Sequence, residues 1–369
     1  MLAVGLAIPF LRTDPETRLA PVPSFDIGSV EPPLVYDVDF ADERHGFALW
    51  GRCTNGRDYR CERKLLVTTD GAHWAPRPFA LPELAAPPRL SGQVVALGAD
   101  RVMVTDLDGR TQLRFYSADS GATWRAVPAR PVRTVEDIPP DAMLEIQCIE
   151  TVHSMGECRR RRLVITVPET GERVWLAHPP NLIQPVPEPR AADDGSWWVS
   201  GKDQATGGWV VAVSRDAGRT WGVSPVPVPP DLFLESLSST GSGPNRYLVG
   251  TGWLPGAMEP KNLVAIFRST DGGAHWAQTW RGNGNSPRTV GGTAIATADG
   301  GLFVPPDDIG LGYRSLDGGV SFAPAPDFPR LNSVRRVRAG YLAVPSGHAP
   351  GQYLRSPDGV HWTAFTVPA

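Results

Sequence analysis

The sequence predicts an all-β fold, a seven-bladed β-propeller of four-stranded antiparallel blades. Three observations carry that reading. A short polar motif, Ser/Thr-x-Asp-x-Gly closed by an aromatic residue, recurs along the chain at near-regular intervals. Between its copies lie short apolar runs separated by turn residues, the pattern of strands rather than helices. No amphipathic helix of useful length competes. A four-stranded sheet repeated at such a period is the signature of a propeller blade.

The motif reads TTDGAHW at Thr68, SADSGATW at Ser117, SRDAGRTW at Ser214, STDGGAHW at Ser269, SLDGGVSF at Ser315 and SPDGVHW at Ser356. Its acids are Asp70, Asp119, Asp216, Asp271, Asp317 and Asp358, and its aromatics Trp74, Trp124, Trp221, Trp276, Phe322 and Trp362. The acids are spaced by 49, 55, 46 and 41 residues, except that 97 residues separate Asp119 from Asp216. That gap predicts a decayed copy near residue 168. VPETGERVW supplies one, with Glu169 in the acid slot, then Gly171 and, one residue late, Trp175. The total is seven units of about 48 residues each.

Each unit reads as four strands. The first offers VYDVDF, HGFALWG, KLLVTTD and HWAPRPF; the fifth offers SLSST, RYLVGTGW, NLVAIFRST and HWAQTW. The last, SVRRVRAG, YLAVPS, QYLRS and HWTAFTV, holds four of its own, so ring closure need not borrow an N-terminal strand. The propeller is expected over residues 33–369. Residues 1–32 form a separate segment: its apolar opening, MLAVGLAIPFL, reads as an export remnant or as an added strand. That run is too short to span a bilayer.

The motif's chemistry is that of a turn. Aspartate in a tight turn accepts bonds from nearby backbone N–H groups. Glycine supplies positive φ, and the aromatic residue buries a large apolar surface as the next strand starts. The arrangement resembles the Asp-box, or bacterial neuraminidase repeat. That repeat occurs in sialidases, xyloglucanases, the sortilin ectodomain and photosystem II stability/assembly-factor-like proteins. The resemblance covers residues 33 to 369. It implies that the boxes sit on peripheral hairpins, away from the central face, as scaffold rather than site. His73, His275 and His361 fall inside boxes and are read as turn residues.

Composition narrows the function. A net charge of −3 gives no nucleic-acid footprint and no polybasic membrane surface. The four cysteines form two close pairs, Cys53 with Cys61 and Cys148 with Cys158, each bracketing a polar loop between apolar strands. Zinc-knuckle spacing is absent. Cysteines on facing strands of one hairpin reach disulfide geometry, which points to an oxidising, extracytoplasmic compartment; four unpaired thiols are the alternative. Counted back from the acid of the motif, both pairs hold the same place in their unit.

A search for chemistry finds little. The arginines of the first unit do not match the Arg-Ile-Pro-like segment that a sialidase implies. Hydrolysis of a glycoside needs two carboxylates at a defined separation. Candidate acids are Asp193 and Asp194, Asp307 and Asp308, and Glu235, although Asp-Asp before Gly is also ordinary turn composition. Nucleophile-elbow, zinc-helix and Walker patterns are absent, and no metal or cofactor is expected. Two basic clusters remain, Arg159 to Arg162 and the group Arg330, Arg335, Arg336 and Arg338, the second on the inner strand of the last blade. Arg335, Arg336, Glu235, Asp307 and Asp308 are therefore the candidate binding residues. The expectation is a monomeric, non-enzymatic, extracytoplasmic binding or assembly propeller for a protein or glycan, resembling bacterial relatives of the photosystem II assembly-factor group. The alternative is a secreted carbohydrate-active enzyme, a glycosidase or sialidase-like protein.

Overall fold

The structure, a computed structural model, describes residues 33–54, 60–78, 92–108, 111–151, 158–242, 245–253, 262–282, 294–305, 312–347 and 349–368. The N-terminal segment and the acids at 307 and 308 lie outside the described residues. Within them the strands form seven four-stranded sheets, the blades of a β-propeller. Blade 1 is β1 (Leu34–Phe40), β2 (Gly46–Thr54), β3 (Arg60–Thr68) and β4 (Ala75–Pro78). Blade 2 is β5 (Gln93–Ala96), β6 (Val102–Asp108), β7 (Thr111–Ser117) and β8 (Arg125–Val127). Blade 3 comprises β9 (Thr134–Val135), β10 (Met143–Thr151), β11 (Cys158–Thr166) and β12 (Arg173–Leu176). Blade 4 follows with β13 (Leu182–Pro187), β14 (Trp197–Asp203), β15 (Trp209–Ser214) and β16 (Gly222–Pro225).

Blade 5 is β17 (Leu234–Ser242), β18 (Asn245–Gly252), β19 (Asn262–Ser269) and β20 (Ala277–Arg281). Blade 6 has short strands, β21 (Ile295–Ala296), β22 (Leu302–Val304), β23 (Tyr313–Ser315) and β24 (Ala323–Pro324). Blade 7 is β25 (Leu331–Val337), β26 (Gly340–Pro345), β27 (Gln352–Ser356) and β28 (Thr363–Thr366). Six blades run in chain order from the innermost strand outward. Antiparallel alternation therefore puts their first and third turns on one face, called the Asp-turn face here, and their second turns on the opposite face.

Blade 3 departs from that plan. Its order is β10-β11-β12-β9, and β9 pairs in parallel with β12. The segment that precedes the innermost strand thus supplies the outermost one. The turn at Glu169 joins the second and third strands instead of the third and fourth, yet it stays on the Asp-turn face. Tyr116 of blade 2 donates to the Glu169 carbonyl at 2.8 Å, and a Cβ on Gly171 would collide with the Tyr116 ring. The innermost strand of blade 3 consequently runs opposite to the other six. This also refines the reading of the cysteines. Cys53–Cys61 and Cys148–Cys158 are both disulfide-bonded, and both clamp hairpins on the face away from the Asp turns. Cys53–Cys61 links second and third strands, however, whereas Cys148–Cys158 links first and second, one strand nearer the axis.

The recurring turn works as a hydrogen-bonded unit. In blade 2 the Ser117 hydroxyl donates to Asp119 at 2.7 Å and accepts from the Gly121 N–H at 2.8 Å. Asp119 also accepts from the Thr123 hydroxyl and N–H at 2.6 and 2.8 Å. Gly121 sits at φ 81°, against Leu65 of the preceding blade. Hydrogen bonds from Thr123 hold the Asp119 carboxyl below its usual range, and those from Thr220 bring Asp216 to about 2. Glu169 behaves otherwise. Its longer side chain reaches Arg101 at 3.5 Å and leaves its own turn to backbone bonds such as Gly171 N–H to Val167 O, 2.7 Å. Replacing Asp119 with Ala should lower stability by about 1 kcal/mol, since its hydrogen bonds are solvent-exposed. Glu169→Ala should be nearly neutral. Melting curves of the two variants check this, and equal losses would count against the distinction.

Apolar clusters fill the interfaces between blades. Val38, Phe40, Leu342 and Tyr353 join blade 1 to blade 7, and Trp198, Leu237, Leu248 and Phe267 join blade 4 to blade 5. Side-chain packing thus joins the first and last blades, with no strand shared between them among the described residues. The interface of blades 2 and 3 has a smaller cluster, Leu97, Met103, Tyr116 and Val127. Charge replaces apolar surface there.

Candidate functional site: the central cavity and its Asp-turn mouth

The innermost strands surround a cavity of about 600 Å³. Asp39, Val95, Glu145, Val186, Ser238, Ile295 and Arg335 line it, one from each blade. Among the described lining residues are three carboxylates, Asp39, Glu145 and Glu188, and five arginines, Arg114, Arg173, Arg190, Arg335 and Arg336. Each carboxylate has arginine beside it, so the charges are arranged as clusters.

The first cluster lies between blades 2 and 3. Glu145 of β10 meets Arg114 at 3.3 Å and Arg173 at 2.7 Å. Arg114 donates further to the Thr166 hydroxyl at 3.0 Å, and Arg173 to Gln147 at 2.7 Å and Gln112 at 3.1 Å. Burial lowers the Arg114 guanidinium to about 10, with Glu145 opposing the shift.

The second cluster lies between blades 4 and 5. Glu188, just past β13, pairs with Arg246 of β18, both side chains 6% exposed. The Arg246 guanidinium also lies 4.1 Å over the Trp198 ring. Arg336 crosses from blade 7, three blades away, to stand 3.8 Å from Glu188 and 3.5 Å from Asp193. Burial raises the Glu188 carboxyl above its usual value, opposed by Arg246 and Arg336.

The third cluster seals the seam between blades 7 and 1. Arg335 donates to Asp37 at 2.9 Å and to the Val38 carbonyl. Asp37 and Asp39 accept from the N–H groups of Val94 and Ala96 at 2.7 and 2.8 Å. Burial raises the Asp39 carboxyl and carries Asp37 from 3.8 to about 6, against the pull of Arg335. Two more arginines bridge the Asp-turn mouth. Arg338 of blade 7 reaches Asp141 at 2.7 Å and the Leu97 carbonyl at 3.0 Å. Arg190 of blade 4 donates to the carbonyls of Asp141 and Ala96 at 2.9 and 3.0 Å.

A folded-state value above the unfolded one means that folded Asp37 holds a proton which the unfolded chain releases. This group's contribution to stability therefore falls as pH rises from about 4 to 6. Asp37→Asn should gain stability relative to the parent across that window, by denaturant titration at successive pH values. The Asp-turn acids, lowered in the fold, contribute equally to both proteins and cancel. A difference that shrinks with rising pH would count against the assignment.

The candidate residues separate clearly. Arg335 and Arg336 stand together at the cavity. Glu235 is exposed on β17 and is not among the cavity-lining residues. Asp193 meets Arg336, whereas Asp194 is held by the hydroxyl and N–H of Ser196 within its own turn. Arg159 and Arg160 flank Glu150 at 3.3 and 3.8 Å on the disulfide-clamped hairpin, and Arg162 covers Trp175. Sequence reasoning did not single out Glu145, Glu188, Arg114, Arg173, Arg190 or Arg246. A lone Glu between prolines, in PVPEPR, and an Arg closing the Gly-rich GSGPNR carry no sign of their partners.

The fold and this cavity place the chain among seven-bladed β-propellers. Its solved structural neighbours are distant in sequence. YCF48 from Cyanidioschyzon merolae is 16% identical, with 90% of this chain and 84% of that one covered and a TM-score of 0.32. The β-propeller domain of the Trilobed protease from Pyrococcus furiosus is 11% identical, with 88% and 93% covered and a TM-score of 0.48. The Niastella koreensis GH74 enzyme is 14% identical, with 89% of this chain but 54% of that one covered and a TM-score of 0.28. No protein-family model and no curated protein matches the chain.

Proposed function

We propose that this chain is an extracytoplasmic binding propeller of the Asp-box type, which recognises a protein or other ligand reversibly at its central face. One observation supports this over catalysis most directly. Each described carboxylate lining the cavity is committed to arginine: Glu145 to Arg114 and Arg173, Glu188 to Arg246 and Arg336, and Asp39 to the fields of Arg335 and Arg190. A glycosidase keeps one carboxyl to protonate a leaving group and another to attack or to activate water. Arginine beside each acid competes with water or a leaving group for its oxygens. The two disulfides support an oxidising compartment. Among the described residues no helix is long and apolar enough to cross a membrane. The test is to incubate the purified protein with panels of glycans and peptides, following binding by calorimetry and cleavage by chromatography. Binding without turnover is expected. Release of new reducing ends, abolished by Glu145→Gln or Glu188→Gln, would establish the carbohydrate-active enzyme instead.

A further inference from the structure

We infer that the face opposite the Asp turns docks on an anionic lipid surface, with Phe233 and Trp253 entering the bilayer interface and basic side chains around them meeting its phosphates. Phe233 is 70% exposed and Trp253 46%. The two are neighbours at the tip of blade 5: Phe233 lies just ahead of β17, Trp253 just past β18, and the Trp253 N–H donates to the Phe233 carbonyl at 3.1 Å. A Cβ on Gly252 would clash with that carbonyl, so glycine there lets the two backbones meet and holds both rings at one edge. Ile183, at the start of β13 on the adjoining blade, is also exposed. Leu34 opens β1 at this face, and Ile149 lies near the end of β10, whose reversed direction brings that end here; both are exposed. None of the five lines the central cavity. They stand on its far rim.

Charge fixes the partner's chemistry. Lys202 is the cross-strand partner of Ile183 and lies 5.0 Å over the Trp209 ring. Arg160 and Arg161 are the cross-strand partners of Glu150 and Cys148, the residues on either side of Ile149. Among the described residues neither Lys202 nor Arg161 has a carboxylate partner. The acids of this rim are mostly spent: Glu150 is flanked by Arg159 and Arg160, Asp231 pairs with Arg281, and Asp203 accepts from the N–H groups of its own turn. Glu235 alone among these stands exposed without such a bond. The net charge of −3 conceals the basic rim, because the Asp turns gather acid on the opposite face. Protruding aromatic and aliphatic side chains set among cations are the composition of an interfacial membrane anchor, apolar groups entering the headgroup boundary and cations meeting phosphate. A protein segment needs a groove to select its side chains, whereas these stand on strand tips spread over four blades. The chain also enters the propeller here at Leu34, and its sequence upstream carries the apolar run MLAVGLAIPFL. Docked this way, the Asp-turn mouth points away from the bilayer into solution.

The test is sedimentation of the full chain with vesicles of phosphatidylcholine alone and of phosphatidylcholine mixed equally with phosphatidylglycerol, at low and high salt. The protein should bind the anionic vesicles more tightly than the neutral ones, and less tightly as salt rises. Phe233→Ala and Trp253→Ala should each weaken binding about tenfold, and Arg161→Gln and Lys202→Gln about fivefold each. Both aromatic side chains are exposed, so their variants should keep the parent's melting temperature, and weaker sedimentation is then not lost folding. No sedimentation with either vesicle overturns the docking. Sedimentation that neither aromatic variant weakens overturns this face, and its loss in Leu6→Asp instead would place the contact in the N-terminal run. A glutamate-rich peptide that binds in a Phe233-dependent way, while vesicles do not, overturns the lipid in favour of a protein partner.

Discussion

Glu145→Ala should destabilise the folded ring by about 3–5 kcal/mol, more than loss of any solvent-exposed carboxylate. The reason lies in what it leaves behind. Arg114 and Arg173 have side chains only 1% and 7% exposed, and both direct guanidinium nitrogens at this one carboxylate. Removing it strands two buried cations where the apolar cluster between blades is smallest. Neutral hydrogen-bond acceptors such as Thr166, Gln147 and Gln112 solvate them only partly. The large loss measures a broken network, not the network's net value. Replacing all three with apolar residues, Glu145→Leu, Arg114→Met and Arg173→Leu, should therefore restore most of the stability. Denaturant unfolding of the single and triple variants decides it. A single-variant loss under about 1 kcal/mol, or a triple variant worse than the single, would show that charge does not hold this interface.

What the sequence made legible follows from where each interaction sits along the chain. The Asp turns close within a few residues of themselves, so Ser117, Asp119 and Gly121 carry their geometry in their spacing. Seven units and most strand edges could be counted from them. The exchange in blade 3 escaped because β9 is only Thr134–Val135. A two-residue strand has no periodicity, and which edge it joins is set by the partner. Spacing locates the decayed turn at Glu169 but not its place between the second and third strands of its blade, for the same reason. The site was half legible. Arg335 and Arg336 stood out as a basic run on an inner strand, and they do line the cavity. Their partners are distant in sequence: Arg335 meets Asp37 across 298 residues, and Arg336 meets Asp193 across 143. No local pattern encodes a pairing made by closing a ring.

Trp198→Ala should cost about 3–5 kcal/mol, the range for emptying a buried aromatic site. It should also weaken whatever the cavity binds. Trp198 is 1% exposed, at the contact of blades 4 and 5. Its indole N–H donates to the Ser196 hydroxyl at 2.6 Å, and Trp276 meets its ring edge-on at 6.4 Å. On one side it touches Gly273, whose φ of 88° and closeness to the ring leave no room for a Cβ. Arg246 stacks on the ring while pairing with Glu188, so the same indole fixes an Asp turn, a blade interface and one wall of the cavity. The two effects are separable. Trp198→Phe keeps much of the apolar volume, loses the Ser196 bond and presents a smaller face to Arg246. It should recover over half of the stability while leaving ligand affinity below that of the parent. If Trp198→Phe restored affinity as fully as stability, Arg246 would not be positioned through this ring, and the cavity's geometry would depend on packing alone.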